Sequence, residues 1–397
     1  MINPYGEINW QSVLRIGSAN HMHVTDQEAL DNAYRHGIRH FPISNYYPSA
    51  PYDAATRPSD FHLHQHWPAR LVNGELVEPP INWNDIITWR DEIDEPYRST
   101  LPFVEGGLVF QHIPGDAILS PNAEHHGFSD SNGHICSPGS AFISGNIDPQ
   151  GKTYGVRAHG FCCGFGGPWK EAFEGMLTHL KYPDAGGITI SHPTWFSRFT
   201  DDQVFEMLDF DERVLGIEIY NDYSARRNWL ENPDYEAPCE SEPGFSLNMW
   251  DRILSTGRRC LGFCVPDHSV EMGTNWNGRN ILLVSESAEY DCLMAYRHGQ
   301  FYGCLKDSGL TISNFTATES SVSVTTNRVA TFTFITERGI AERINGESAM
   351  YELPQKNGAP DLVFVRVEVE DHSGERLFLQ PVMYQGSAQP SGRGYRR

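Results

Sequence analysis

Residues 187–220 read GITISHPTWFSRFTDDQVFEMLDFDERVLGIEIY, and this stretch indicates the fold class. It opens with a short apolar strand at 187–191 and continues with an amphipathic helix over 201–208, for which Thr200 is a suitable N-cap. A second apolar strand follows at 214–220. Strand, helix and strand in this order are typical of parallel strands joined by helical crossovers. We therefore predict an α/β fold around this segment.

The same alternation continues on both sides of that stretch. Upstream, a predicted helix at 27–36 precedes a strand at 38–44. Downstream, the pattern predicts a helix over 245–256 before Gly257, a strand at 260–265, and a helix over 285–298 before Gly299. The repeated rhythm predicts a barrel-like arrangement of parallel strands.

Two regions depart from this rhythm. Residues 48–102 are rich in Pro, Trp, His and acidic residues, and we predict that this insertion covers the mouth of the barrel and narrows substrate choice. After Gly309, period-two alternation separated by Gly, Asn and Asp turns predicts a small β-sandwich. The expected division is a barrel at 1–308, a sandwich at 309–386 and a tail at 387–397.

Composition excludes several classes of function. The chain has 397 residues and a net charge of −21, from 51 acidic and 30 basic residues. So acidic a surface disfavours nucleic acid and anionic membranes as partners. There is no run of apolar residues long enough to span a membrane, no visible signal peptide and no C-x-x-C pair among the eight cysteines. We expect a cytoplasmic protein with a small-molecule substrate, and the oligomeric state stays open.

The first chemical signal is the pair His21 and His23. Side chains at positions i and i+2 of a strand point the same way, so both imidazoles can bind one metal ion. Zinc, manganese and iron all accept imidazole ligands. An H-x-H pair also occurs by chance, so further signals are needed.

Those signals lie at the ends of predicted strands. His192 directly follows the strand at 187–191, Asp267 and His268 follow the strand at 260–265, and Glu218 lies near the end of the strand at 214–220. In α/β barrels, functional side chains occupy the carboxyl ends of strands. We predict His192 and Asp267 as metal ligands, His268 as a proton shuttle and Glu218 as a substrate contact.

A further carboxylate comes from the stretch PNAEHH at 121–126. Glu124 is a candidate to bridge two metal ions. Neighbouring side chains on a strand face opposite ways, so His125 and His126 cannot both reach one site if the stretch is extended. The histidine that joins Glu124 is left open by this reasoning.

Other residues are candidates for substrate binding. Arg198 and Arg226 follow strands on the predicted catalytic face and would suit an anionic group. Trp195 and Tyr46 could stack on a sugar or a base. Solvation at the surface and packing in the core are the alternatives for these residues.

The order of these motifs resembles the PHP family, the polymerase and histidinol phosphatase type of metal-dependent phosphoesterase. The resemblance rests on His21-x-His23, the Glu124 region with His134, Ser191-His192-Pro193, GIEIYN at 216–221 and GFCVPDH at 262–268. The opening with Asn3-Pro4-Tyr5 and Trp10, and AYRHGQFY at 295–302, resemble a branch of that family with a C-terminal β-sandwich.

The resemblance implies a distorted (β/α)7 barrel that holds metal ions and hydrolyses a phosphate ester with activated water. The metal ligands that it implies are His21, His23, Glu124, His134, His192 and Asp267. The spacing of Gly133, His134 and Ile135 in this comparison favours His134 over His125.

This sequence departs from the family pattern after the second strand. Where the family has Thr-Asp-His, the chain reads Ser44-Asn45-Tyr46. Asn45 is a neutral and weaker ligand than Asp, and we predict it as a substrate contact. Tyr46 is protonated near neutral pH, free to contact substrate or protonate a leaving group. We therefore expect one or two divalent ions (Zn, Mn or Fe) rather than three.

Three functions fit these features. The first is a phosphoesterase that acts on a small phosphorylated or sugar-like substrate. The second is a carbohydrate-directed C–O or C–N hydrolase or lyase on the same metal site. The third is a non-catalytic protein that binds a glycan or a partner through a decayed site. Metal content separates the third function from the other two.

Overall fold

The structure is a computed structural model, and it describes residues 1–24, 27–44, 71–72, 75–76, 112–142, 168–195, 199–231, 242–273, 275–306 and 308–385. The chain divides into two compact units. Unit 1 comprises Met1–Gly17, His192–Val265 and Asn277–Arg397, and unit 2 comprises Ser18–Ser191 and Pro266–Trp276. Most of the predicted insertion at 48–102 and all of the predicted tail at 387–397 lie outside the described residues.

The described residues form six helices, and those predicted at 27–36, 201–208, 245–256 and 285–298 are confirmed, although the last begins at Glu289. They are α1 (Gln27–Arg35), α2 (Trp169–Thr178), α3 (Asp201–Leu208), α4 (Asp222–Glu231), α5 (Leu247–Ser255) and α6 (Glu289–His298). A short 3-10 helix covers His268–Val270. None of these helices is long and apolar enough to cross a membrane.

Local side-chain chemistry explains where two of these helices begin and end. Thr200 caps α3 as predicted, because its hydroxyl accepts a hydrogen bond from the backbone N–H of Gln203, whose side chain in turn accepts one from the N–H of Thr200. Gly299 ends α6 in the left-handed conformation at φ +73°, which glycine adopts without strain. The predictions of these two boundaries are confirmed.

Twenty strands are described. They are β1 (Leu14–Ser18), β2 (Ile38–Pro42), β3 (Leu71–Val72), β4 (Glu75–Leu76), β5 (Ile118–Ser120), β6 (Glu124–His125), β7 (His134–Cys136), β8 (Ile188–Ser191), β9 (Val214–Asn221), β10 (Leu261–Val265), β11 (Arg279–Val284), β12 (Phe301–Leu305), β13 (Ile312–Ala317), β14 (Ser321–Thr336), β15 (Gly339–Glu352), β16 (Gln355–Lys356), β17 (Ala359–Pro360), β18 (Phe364–Glu370), β19 (Arg376–Leu379) and β20 (Val382–Met383).

Unit 2 combines parallel and antiparallel pairing. Strand β2 pairs in parallel with β5, whereas β7 pairs antiparallel with both β6 and β8. One apolar core of this unit is formed by side chains from the segment after β1, from α1 and from β2. Val270 and Trp276, in the later segment 266–276, complete it. Residues far apart in sequence therefore share one core.

Unit 1 is dominated by antiparallel sheet. Strands β13, β14, β18, β19, β12 and β11 lie side by side in that order, and each neighbouring pair is antiparallel. Burial alternates along β14, whose inward side chains include Phe332 and Phe334. The same unit contains the parallel pair β9 and β10, with α5 against β9.

The fold is mixed α/β, as the sequence predicts, but a seven-fold (β/α) barrel is not confirmed. The predicted parallel pairing holds for β9 with β10 and for β2 with β5. It does not hold for β7, which pairs antiparallel with both β6 and β8. The all-β character after residue 309 is confirmed, although the sheet there continues into β12 and β11. The predicted domain boundary at 308/309 stays a prediction.

Candidate metal centre

The backbone of unit 2 brings four chain segments side by side. Met22 forms a parallel bridge with Asp267, in which the N–H of Asp267 donates to the carbonyl of His21 over 3.0 Å. On the other side, the N–H of Ser44 donates to the carbonyl of Met22 over 3.0 Å, and the N–H of Glu124 donates to the carbonyl of Ser44 over 2.9 Å. The extended backbone at 21–23 turns both histidines to one side.

Four ligand-type side chains of this arrangement converge. The Nε2 atom of His21 lies 3.1 Å from Oε2 of Glu124 and 3.2 Å from Oδ1 of Asp267. The Nε2 atom of His23 lies 2.9 Å and 3.4 Å from the same two oxygens. All four side chains are buried. We refer to His21, His23, Glu124 and Asp267 as the four-residue cluster.

The spacing of the cluster fits a shared metal ion. Ligand atoms about 2.1 Å from one ion lie about 3.0 Å apart at a right angle and about 3.4 Å apart in a tetrahedron. The measured separations of 2.9–3.4 Å fall in this range. Two imidazoles and two carboxylates are also ligands that zinc, manganese and iron accept. The residues present therefore fit a divalent cation.

The charges of the cluster favour a cation as well. Burial lowers the pKa of His23, and the nearby His268 lowers it further, against the opposing effect of Glu124 and Asp267. Burial raises the pKa of the Asp267 carboxyl, but His21 and His268 outweigh burial and hold that pKa well below its usual range. An ionised carboxylate in a buried position is costly unless positive charge lies next to it, and a metal ion would supply such charge.

Asp267 has a strained backbone. Its φ of +55° and ψ of −134° lie in a region that side chains other than glycine rarely adopt. Such a conformation costs on the order of 1–3 kcal/mol and occurs preferentially at functional sites. Its backbone hydrogen bonds to the segment 21–23, together with a 2.7 Å bond from the N–H of His268 to Oδ1, hold the residue in place.

The two histidines considered as partners of Glu124 differ in position. Nδ1 of His134 lies 2.6 Å from Oε1 of Glu124. Nε2 of His125 instead lies 2.9 Å from Oγ of Ser137, because His125 and Glu124 are neighbours on β6 and face opposite ways. The structure therefore brings His134, and not His125, to the cluster, and a ligand role for His134 stays a prediction.

A buried amide fixes the strand that carries Glu124. The side-chain NH₂ of Asn122 donates to the carbonyls of Asn20 and Pro42, over 2.8 Å and 2.7 Å. Its oxygen accepts a 2.9 Å hydrogen bond from the N–H of Ser137. This one side chain thus ties together three segments beside the cluster.

His268 lies at the margin of the cluster. Its ring stacks on that of His23, with centroids 3.6 Å apart and planes 7° apart. Its Nδ1 lies 2.8 Å from Oε2 of Glu271, and its Nε2 lies 4.0 Å from Oδ1 of Asp267. Burial lowers the pKa of His268, but the hydrogen bond to Glu271 and the charge of Asp267 outweigh it, so that this pKa is raised.

Four of the predicted site residues belong to unit 1. The N–H of His192, a residue with a φ of +26°, donates to Oε2 of Glu218 over 2.8 Å. Trp195 is half-buried and contacts His192 edge to face. Arg226 forms a 2.7 Å ion pair with Asp222 one helical turn away. The roles predicted for His192, Glu218, Trp195 and Arg226 stay predictions, as do their relations to the four-residue cluster.

Three further candidates, Asn45, Tyr46 and Arg198, lie outside the described residues. Conversely, sequence reasoning missed Glu271 and Asn122. Glu271 follows His268 by three residues, a spacing that a tight helical turn brings together, and this was an available signal. Asn122 stands two residues before Glu124 but carries no pattern that distinguishes it from a surface amide.

Comparison with known proteins provides little further support. No protein-family model and no curated protein matches the sequence. Among solved structures, a two-domain protein from Bacteroides vulgatus that contains a predicted PHP-like metal-dependent phosphoesterase aligns with 93% of this chain and 92% of its own. The identity is 11% and the TM-score is 0.36, values too low to assign fold or activity.

Proposed function

We propose that this protein is a metal-dependent hydrolase that cleaves a phosphate ester of a small phosphorylated or sugar-like substrate. The observation that carries the proposal is the four-residue cluster of His21, His23, Glu124 and Asp267. Burying two carboxylates is costly unless positive charge lies next to them, and a divalent ion held at this ligand spacing would supply it.

The donor set supports one or two divalent ions, with zinc, manganese and iron as candidates. Oε2 of Glu124 faces His21 and His23, while Oε1 faces His134. A carboxylate whose two oxygens face different imidazoles could serve two ions. The upper limit of two rests on Asn45 and Tyr46, which are weaker ligands than the Asp and His of the family pattern. A bound divalent ion supplies Lewis acidity and lowers the pKa of water toward neutrality.

His268 is the residue best placed to move a proton at this site. Glu271 holds Nδ1, so the ring presents Nε2 on the side of Asp267. The raised pKa of His268 keeps the ring protonated to a higher pH than usual. We propose that Nε2 of His268 donates a proton to the oxygen of the leaving group, which would otherwise depart as an unstable anion.

Metal analysis of the full chain tests this function first. We expect a stoichiometric divalent ion in the purified protein, and loss of most of it in Glu124→Gln and in the double variant His21→Ala, His23→Ala. The matched control is His372→Ala, because His372 is an exposed histidine of unit 1. Wild-type protein without a bound ion after purification with added zinc or manganese would refute the proposal and favour a non-catalytic binding protein.

A substrate panel then separates the enzyme functions. Phosphate monoesters of alcohols, phenols and sugars are compared with glycosides of the same alcohols, with the metal-loaded protein and with Glu124→Gln. Release of phosphate that depends on Glu124 supports the phosphoesterase. Cleavage of the glycosides alone would overturn it in favour of carbohydrate-directed chemistry at the same metal centre.

A further inference from the structure

A small cavity lies within unit 1, where three segments of the chain meet. Its wall is formed by residues from 192–195, by Ser224 in the first turn of α4 and by residues 244–246 in front of α5. About 10 Å³ is open to the centre of a water molecule, which is the room that one water molecule or one hydroxyl group needs. The wall is partly exposed at Thr194 and buried at Ser224, so the cavity extends inward from the surface.

Hydrogen bonds hold two sides of the cavity wall in place. Oε2 of Glu218 accepts from the N–H of His192 over 2.8 Å and from the side-chain NH₂ of Asn221 over 2.9 Å. Oδ1 of Asn221 accepts from the N–H of Ser224 over 2.8 Å, as an N-cap side chain does. One carboxylate thus fixes His192 directly and Ser224 through Asn221. A wall that is already ordered lowers the entropic cost of binding a ligand.

The hydroxyl groups of the wall offer one donor and one acceptor. The O–H of Thr194 donates to the carbonyl of Phe245 over 3.2 Å. The 2.9 Å contact between Oγ1 of Thr194 and Oγ of Ser246 is then donated by Ser246, whose oxygen keeps lone pairs as an acceptor. Oγ of Ser224 is buried and has no hydrogen-bond partner among the described residues. A buried hydroxyl in this state is rare in proteins and indicates a bound water molecule or ligand.

This combination matches a neutral hydroxyl group. A hydroxyl accepts and donates at once, so it can bond to both Ser224 and Ser246, whereas an ammonium group only donates and a carboxylate only accepts. The described residues that line the cavity include no Lys, Arg, Asp or Glu. The half-buried ring of Trp195, also in the wall, contacts His192 and Tyr223 edge to face, with centroids 5.3 Å and 5.9 Å away. A fixed aromatic ring beside a few polar groups is typical of small-molecule sites.

We propose that this cavity is a binding site for a neutral polyol or sugar. One hydroxyl of the ligand enters the cavity, accepts a hydrogen bond from Ser224 and donates one to Ser246. The neighbouring carbon atoms of the ligand pack on Trp195. The proposal goes beyond metal-dependent hydrolysis, because it concerns binding in unit 1 and requires no cleavage of the ligand.

Titration with myo-inositol, methyl glucoside and inorganic phosphate tests this site without turnover. In protein labelled with fluorotryptophan, the fluorine NMR signal of Trp195, assigned with Trp195→Phe, should shift and saturate with at least one of the two polyols. The signal of the fully buried Trp250 serves as the internal control and should not shift. A response to phosphate alone would indicate an anion site, and no response to any of the three would leave the cavity to water. Either result would overturn the proposal.

Ser224→Ala measures the contribution of the hydroxyl without a partner. The affinity for the bound polyol should fall by about tenfold. The melting temperature should match that of the wild type, because no described side chain or backbone group loses a hydrogen bond to Oγ of Ser224. Ser255→Ala is the matched control, since Ser255 is an exposed serine of α5 in the same unit, and it should keep the wild-type affinity. Equal affinities of Ser224→Ala and wild type would contradict the proposal.

Deoxy forms of the same polyol identify the hydroxyl that enters the cavity. One of them should bind more weakly than the parent polyol, and this loss should be smaller in Ser224→Ala than in the wild type, because the two changes remove the same hydrogen bond. Losses that are equal in both proteins for every deoxy form would place Ser224 outside the site. The hydrolase is tested separately by metal content, so failure of the polyol site and failure of the proposed function are distinguishable.

Discussion

His40 gives unit 2 a defined sensitivity to acid. This residue of β2 is fully buried between two hydroxyls, with Oγ of Ser18 at 2.8 Å from Nδ1 and Oγ of Ser120 at 2.7 Å from Nε2. Burial lowers the pKa of His40 from 6.5 to about 3. With about 1.4 kcal/mol for each pKa unit, protonation of His40 in the folded protein costs ~5 kcal/mol.

The sign of the effect on stability follows from this depressed pKa. Above the unfolded value of 6.5, neither state carries a proton on His40. As the pH falls below that value, His40 becomes protonated in the unfolded chain but stays neutral in the folded protein down to about pH 3. Stability is therefore lost as the pH falls through this window, by ~2 kcal/mol between about pH 7.5 and about pH 5.

Urea unfolding at both pH values, followed by circular dichroism, measures this loss in wild type, His40→Asn and the exposed control His372→Asn. At about pH 7.5 the His40 variant should be less stable by about 1–3 kcal/mol, because a buried hydroxyl loses its partner. When the pH is lowered from the first value to the second, the unfolding free energy of His40→Asn should fall by ~2 kcal/mol less than that of the wild type, since the other titrating groups contribute equally to both proteins. Equal losses in wild type and His40→Asn would refute the reasoning.

Three further changes test other contacts. Glu271→Ala removes the hydrogen-bond partner of His268 and should lower kcat by about tenfold to a hundredfold while the metal content stays unchanged. Steady-state kinetics and metal analysis measure the two quantities, and loss of the metal would show a structural role for Glu271 instead. Asn122→Ala leaves three buried backbone groups without their partner and should cost about 2–4 kcal/mol of unfolding free energy in urea, with weaker metal retention; an unchanged midpoint would contradict this. Arg366→Ala removes a buried guanidinium that contacts both carboxylate oxygens of Asp251 and should destabilise unit 1 by about 1.5–3 kcal/mol, which calorimetry would detect as a lower melting temperature; an unchanged melting temperature would contradict this.

The parts of the fold that local chemistry determines could be predicted from sequence. The hydrophobic period and the N-cap Thr200 predicted α3, and Gly299 predicted the end of α6. Capping signals act within one helical turn and are therefore visible in the local sequence. Strand pairing could not be predicted in the same way. The apolar run of β8 fits a parallel or an antiparallel neighbour equally well, and its antiparallel pairing with β7 depends on a partner more than fifty residues earlier.

The candidate site shows the same division. The alternation of side chains along an extended strand correctly indicated that His21 and His23 point the same way, since both lie within 3.1 Å of Oε2 of Glu124. Glu271 was missed because an acidic residue in an exposed turn usually faces water. Its contact with His268 depends on the 3-10 turn that follows the strained Asp267.

The backbone bridge between Met22 and Asp267 has a consequence for biosynthesis. Asp267 follows His21 and His23 by about 240 residues and is therefore synthesised long after them, after all of Val214–Val265. A nascent chain that ends before this point lacks both one carboxylate of the four-residue cluster and the backbone pairing of Asp267 with residues 21–23. Closing so long a loop is entropically costly and slow. Binding of a divalent ion by all four side chains would therefore require the segment 266–276 and would come late in the folding of unit 2.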